Sequence, residues 1–333
     1  MTDRIFSTDT DAGTITVLEP SDGSLKEVKK IFVGNGPRGP VVFTKSGRGF
    51  VTNHAGNTVS EIDPFNNVEV ARIKVGAAPL GMGLIPGDKY LMVSNDGDND
   101  ISVIDITKRR EIGRISAGRE PKHMDIHPCK PYAYVCIWGA HMVSKINLKP
   151  LIDNDVERLP NDVRVESSIF LGDGAHPYSL RITPDGKYII VANNQVEYIT
   201  IIDEDTGEVI KEVNVGTKGA RGAEFSPSGD TVFVSIEDSS EIVAIDLSTF
   251  DIVDRIESGP GPRGMLVYDN TLYASAFART KKVAGLLTTP NTLSALDFGG
   301  QMTVQGLRQK SKPKASEIKV GAGPCSISLF TFD

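Results

Sequence analysis

The sequence predicts an all-β fold, a seven-bladed β-propeller with four-stranded blades. Three observations carry that prediction. A unit of about forty residues recurs along the chain, within the range of propeller blades. Each unit holds four short runs with strand patterning. The first unit lacks one strand, which the last residues of the chain supply.

The period is marked by a Gly closing a short apolar run at Gly34, Gly76, Gly118, Gly172, Gly216, Gly259 and Gly321, with spacings of 42, 42, 54, 44, 43 and 62 residues. The two long spacings read as the same unit plus insertions. Each unit opens on a Gly/Pro turn such as Gly36-Pro37-Arg38-Gly39, followed by an apolar run such as Val41-Val42-Phe43. A reversal of the Pro184-Asp185-Gly186 kind leads to a second run. These second runs are FVTN at 50–53, MVSN at 92–95, YVCI at 134–137, IVAN at 190–193, FVSI at 233–236 and YASA at 273–276. The third strands end in an acid or amide: SEID at Asp63, SVID at Asp105, SKIN at Asn147, TIID at Asp203, VAID at Asp246 and SALD at Asp297. The fourth alternates charges, as in EVARIKV at 69–75, which suits an outer edge protected from stray pairing. No segment shows a sustained helical period.

Residues 5–33 hold only three strands, and 323–330 (GPCSISLF) supply the missing innermost one. The chain is therefore one domain, 1–333. Blade 1 is split between 1–33 and 322–333, and the others span about 34–76, 77–118, 119–172, 173–216, 217–259 and 260–321. Pairing the two ends shuts the ring and removes the open termini of a linear repeat array.

The FVTN, MVSN and IVAN runs with their SVID-like third strands resemble the YVTN-repeat β-propellers over nearly the whole chain. The resemblance implies the fold. Functionally that group is similar to surface-layer repeat proteins, lactonase-like enzymes, the haem-binding domain of nitrite reductase and streptogramin lyases. One fold hosts many activities, so the site must decide.

The bulk properties narrow the choice. Thirty-six basic against 43 acidic residues give a net charge of -7, which argues against general nucleic-acid or anionic-membrane partners. Cys129, Cys136 and Cys325 form neither a disulfide framework nor a cysteine zinc motif. The start, MTDRIFSTDTDAG, has no apolar signal core, so a cytoplasmic protein is expected, although a mature secreted chain would look the same. Walker, GxSxG and CxxCH patterns are absent from the sequence.

Blade grammar places the loops between fourth and first strands, and between second and third strands, on one face at the mouth of the central channel. The residue after the turn Pro, or its equivalent, is Arg38, Leu80, Lys122, Tyr178, Arg221, Arg263 or Cys325 in turn. Arg38, Arg221 and Arg263, in GPRGP, GARGA and GPRGM, read either as an anion-binding ring or as links between neighbouring blades. Like charges at a narrow mouth need an offset, from Glu224, Glu237 or a ligand. His54, His123, His141 and His176 map to this face, with Glu237, as acid–base candidates. They are also candidate ligands of a divalent metal, although they come from different blades and no HxH or HExxH spacing joins them. The alternative is separate loop histidines making hydrogen bonds. His127 falls in an opposite-face turn and reads as structural. Lys122, Trp138, Tyr178 and Phe277 complete the substrate-binding candidates. Trp138 breaks the repeat, either to stack on a ligand or to cover an apolar patch.

Residues 148–167 read as an acidic, solvated excursion on the far face. Residues 277–291, with Arg279, Lys281, Lys282 and an apolar 283–287, read as a lid over the mouth or as an oligomer contact. Residues 299–316, with Arg308, Lys310, Lys312 and Lys314, read as a mobile far-face loop.

The expected function is that of an enzyme acting on a small anionic, cyclic or aromatic molecule at the channel mouth: a lyase, an isomerase or a lactone-opening hydrolase. A protein-interaction scaffold is the first alternative, and a metal- or haem-binding redox protein the second. A homo-oligomer is compatible with either.

Overall fold

The structure is a computed structural model that describes residues 3–21, 24–277, 281–283, 286–288, 291–300, 302–309 and 312–332. Seven four-stranded antiparallel sheets are arranged as blades. From the axis outward, blade 2 runs Pro37–Phe43, Gly49–Asn53, Thr58–Asp63 and Val68–Lys74, and the later blades repeat this order. The ring closes as the termini predict. Pro324–Phe330 forms the innermost strand of blade 1 and pairs antiparallel with Arg4–Asp9, Arg4 opposite Phe330 and Asp9 opposite Pro324.

Second strands such as Gly49–Asn53 and Tyr90–Asn95 are buried along their whole length, because a blade neighbour covers each face. Fourth strands such as Val68–Lys74 alternate and stand half in solvent. The hydrophobic core is accordingly distributed, with one apolar cluster in each interface between adjacent blades.

The structure gives the FVTN-type motif a physical meaning. Its hydroxyl reaches the innermost strand of the next blade: Thr52 Oγ1 donates to Leu80 O (3.0 Å), Ser94 Oγ to Lys122 O (2.6 Å), Ser235 Oγ to Arg263 O (2.7 Å), Ser275 Oγ to Cys325 O (3.1 Å) and Thr8 Oγ1 to Gly39 O (3.0 Å). Blade 5 carries Ala192 at that place, and Ser179 of its innermost strand bonds Arg221 O instead. Blade 4 carries the buried Cys136. The amide that follows holds its own blade together, as where Asn53 Nδ2 donates to Thr58 Oγ1 (3.0 Å) and Ser60 Oγ (2.7 Å).

Two expectations are corrected. Residues 148–164 are not a solvated excursion. They form a short helix, Lys149–Asp153, and a strap whose Leu148, Leu151 and Val163 are buried between blades 3 and 4. Leu159 N donates to Ile112 O at 3.0 Å. Three apolar residues scattered through an acidic stretch suffice to anchor it on the blades, while most of its other residues stay exposed. Likewise 302–309 is no solvated loop. It holds the helix Val304–Arg308, buries Met302 and Leu307 against Phe233 and Phe298, and ties Arg308 Nη2 to Asp246 Oδ2 at 2.9 Å. Lys310 lies outside the described residues. Among the described residues no helix is long and apolar enough to cross a membrane.

Removing one inter-blade hydroxyl should weaken the ring. Ser94 Oγ also accepts from Gly81 N at 2.8 Å, so Ser94→Ala strands a donor and an acceptor. We expect a loss of about 1–3 kcal/mol in urea unfolding, against under about 0.5 kcal/mol for exposed Ser228→Ala. Equal effects would refute the role assigned to the hydroxyl.

Asp9 occupies the place of Asn53 in blade 1 and accepts from Ser7, Thr14 and Thr16. Burial nevertheless outweighs these bonds and pushes it up to about 6. The folded state therefore holds this proton more tightly than the unfolded chain does. That stabilisation is present below about pH 4 and is lost as pH rises through 6, about 3 kcal/mol in all at about 1.4 kcal/mol per pKa unit. Asp9→Asn should raise the neutral-pH melting temperature and flatten the fall in stability between pH 4 and 6. An unchanged pH profile would show that Asp9 does not titrate there.

Candidate functional site

Each innermost strand enters after a turn residue in the left-handed region, glycine at Gly36 and Gly261 but Ala78, Glu120 and His176 in three blades. The next residue starts the strand, and the one after it stands at the channel mouth. Arg38, Lys122, Tyr178, Arg221 and Arg263 are half-buried there, while Leu80 and Cys325 are buried. Behind this ring lies a cavity of about 420 Å³ along the axis, lined at this end by Gly39, His123, Tyr178, Arg221, Arg263 and Cys325.

The mouth charges are only partly compensated. Glu237, at the end of the second strand of blade 6, accepts from Arg221 Nε and from Arg263 Nη2 (2.7 Å). Burial raises this carboxyl, but the two guanidiniums outweigh burial and hold it below its usual range. Arg221 also lies over the Tyr178 ring at 4.3 Å and Arg263 over Phe277 at 3.7 Å. Lys122 Nζ pairs with Asp96 at 2.6 Å and stands over Trp138 at 5.2 Å. Arg38 forms no ion pair among the described residues. Four cations therefore face two carboxylates.

The histidines separate into two groups. His123 lines the cavity with its ring 5.3 Å from that of Tyr178. Burial, then the fields of Lys122, Arg221, Arg38 and Arg263, push it down to about 4. Burial, then Arg38, bring His54 to about 4 as well. Both are neutral at pH 7. His141 and His176 stand apart on the rim of blades 4 and 5, with centroids 4.1 Å apart, and Trp138 lies 4.0 Å from His176. His176 Nδ1 donates to Trp138 O at 3.0 Å, and Trp138 Nε1 to Asn194 Oδ1 at 3.4 Å. These three side chains pack on one another rather than lining the cavity. His127 is structural: its Nδ1 accepts from the N–H groups of Cys129 and Lys130, and its Nε2 bonds Gly186 O.

Among the described residues no group of three or more His, Cys, Asp or Glu stands together as metal donors. Glu237 is committed to its two arginines, so the four histidines and Glu237 do not fit a divalent-metal centre. Arg279, the side chains of Lys281 and Lys282, and with them the lid expected over 277–291, lie outside the described residues. The backbone of Lys281–Val283 pairs with Leu286–Thr288 there.

The mouth residues do not exhaust the cavity wall. Arg181 and Glu224 line it farther along the same strands. The turn signals that mark the mouth do not single out Arg181 or its partner Asp125, because both lie deeper in the innermost strands. Period-two alternation along those strands is the signal that points to them.

Residues 92–273 match the model of the YNCE-like beta-propeller family. No curated protein shows significant sequence similarity to the chain. Among solved structures, Kuenenia stuttgartiensis hydrazine synthase is similar over 86% of this chain and 88% of its own, at 19% identity and TM-score 0.70. A candidate 6-phosphogluconolactonase from Bacteroides fragilis is similar over 99% and 98%, at 14% identity and TM-score 0.78. The dihydro-haem d1 dehydrogenase NirN is similar over 88% of this chain and 61% of its own, at 13% identity and TM-score 0.64. At these identities the likeness carries the fold alone.

If Glu237 offsets two mouth cations, Glu237→Gln should lower stability by about 1–3 kcal/mol and raise the affinity for sulfate several-fold. Thermal melts with calorimetric titration test both. No change in either would mean that the pairing is incidental.

Proposed function

This chain belongs to the YNCE-like β-propeller family, and we propose that its channel mouth is the anion-binding active site of an enzyme that opens a cyclic ester in a small anionic molecule. The observation that carries the reading is that Arg221 and Arg263 line the mouth of one cavity with the Glu237 carboxylate between them, and that Arg38, at the start of a neighbouring innermost strand, acts on the same His123. A guanidinium matches carboxylate and phosphate by its fork of donors, and more so where water is scarce. The structural likeness to a candidate 6-phosphogluconolactonase agrees with this chemistry.

In this reading Arg38 and Arg263 hold the anionic group. Neutral His123 accepts a proton from water as the water oxygen bonds to the ester carbon. The ring C–O bond then breaks, and the same proton passes to the leaving alkoxide, giving a hydroxy acid. The guanidinium edges facing the cavity stabilise the oxyanion formed between these steps. A His123 at about 4 is a weak base, but the same cations that depress it are offset by a bound anion. Anion binding therefore restores the part of its basicity that the cations remove, while burial, the larger cause, continues to lower it.

The test uses sulfate, whose charge is constant over the range, and 6-phosphogluconolactone hydrolysis. Arg38→Ala should weaken sulfate binding about 10–100-fold, and His123→Gln should lower kcat about 100-fold or more while leaving KM within a few-fold. Because the bound state holds the His123 proton more tightly, sulfate affinity should rise as pH falls from about 6.5 toward 4, and His123→Gln should flatten that rise. Unchanged sulfate affinity in Arg38→Ala would overturn the reading.

A further inference from the structure

We propose that the channel takes a dipolar ligand, with an anionic head at the arginine mouth, an aliphatic middle and an ammonium group beside Glu224 at the far end. This rests on the anion-binding reading of the mouth and extends it to the other end of the same cavity.

Arg221 and Glu224 line one continuous cavity and sit three residues apart on the innermost strand Ala220–Phe225, so their backbones are about 10 Å apart along the axis. Between the ends the wall is uncharged, lined by Met124, Leu180, Ala223 and Met265 together with Ser179, Ser326 and Ser328, and the Ser179 and Ser328 hydroxyls are already engaged by Arg221 O and Val41 N. The far end carries the opposite charge from the mouth. Arg181 Nη1 bonds Glu224 Oε2 at 3.1 Å, and its Nε stands 3.5 Å from Asp125 Oδ2. One guanidinium thus serves two carboxylates.

Backbone donors satisfy part of the remaining acceptor capacity. Ile126 N and Ile182 N bond Asp125, and Phe225 N bonds Glu224, leaving one negative charge in surplus. His127, the other basic group near Asp125, is held by Cys129 N and Lys130 N at Nδ1 and by Gly186 O at Nε2, so neither ring nitrogen bonds Asp125. Burial outweighs Arg181 and these donors and raises the Asp125 pKa, so a further cation nearby would relieve this end most. An axis positive at one end and negative at the other, with an uncharged wall between, selects a molecule with the reverse polarity and an uncharged stem such as a methylene chain. A plain anion would fill only the mouth.

Calorimetric titration of the wild-type protein with 6-aminohexanoate, hexanoate and sulfate tests this. We expect 6-aminohexanoate to bind at least tenfold more tightly than hexanoate. Glu224→Gln should bring the two within about twofold while sulfate affinity stays unchanged, and Arg38→Ala should weaken all three. If sulfate binds but hexanoate equals or exceeds 6-aminohexanoate on the wild type, the dipolar inference falls and the anion site stands. If sulfate does not bind either, the mouth reading fails with it. The wild-type comparison is decisive on its own should Glu224→Gln fold poorly.

Discussion

A single hydrogen bond type organises this propeller. The hydroxyl on the second strand of one blade bonds the backbone carbonyl of the residue that stands at the channel mouth of the next. Apolar burial between blades supplies most of the stabilisation but is indifferent to small slides of one sheet past another. The hydroxyl bond is directional and fixes that slide. It sets the height of the strand at Leu80, Lys122, Arg263 and Cys325 while it joins the blades. The same close approach explains the Gly after the mouth residue: a Cβ on Gly222 would lie 2.4 Å from Arg263 O, and one on Gly81 2.5 Å from Lys122 O. The repeated Arg-Gly pair is therefore two constraints side by side, a packing demand on the Gly and a free choice at the Arg.

That free choice is where the chain departs from its own repeat. Leu80 and Cys325 show that the ring closes without a charge at this position, so the four cations are not needed for the fold. Their pairing pattern is uneven. Arg221 and Arg263 share Glu237, Lys122 takes Asp96, and Arg38 is left without a carboxylate among the described residues. The reading of the arginines as links within the protein is seen at Arg221 and Arg263, while the proposed anion site rests on Arg38, which no carboxylate among the described residues neutralises. The cations also set the state of His123, which burial alone would lower and which they lower further.

The sequence carried the architecture because a propeller is local information repeated. Strand period and turn residues each lie within about forty residues, and the first unit's missing strand has its match in the last residues of the chain, so the seven blades and their closure were legible in the amino-acid pattern alone. It also carried which residues begin the innermost strands at the channel mouth. It misjudged 148–164 and 302–309, where isolated Leu, Met and Val residues with no period bury themselves against blades distant in sequence.

What only the tertiary structure decided is pairing across the ring. Composition cannot say that Glu237 sits between Arg221 and Arg263, that Trp138, His141 and His176 pack together away from the cavity, or that Arg181 joins Asp125 to Glu224. Those contacts join blades that repeat one pattern. The repeat places every such residue at a known height and angle but leaves open which rotamers meet across the axis, because electrostatic pairing depends on distances of a few ångströms that a period of forty residues does not encode.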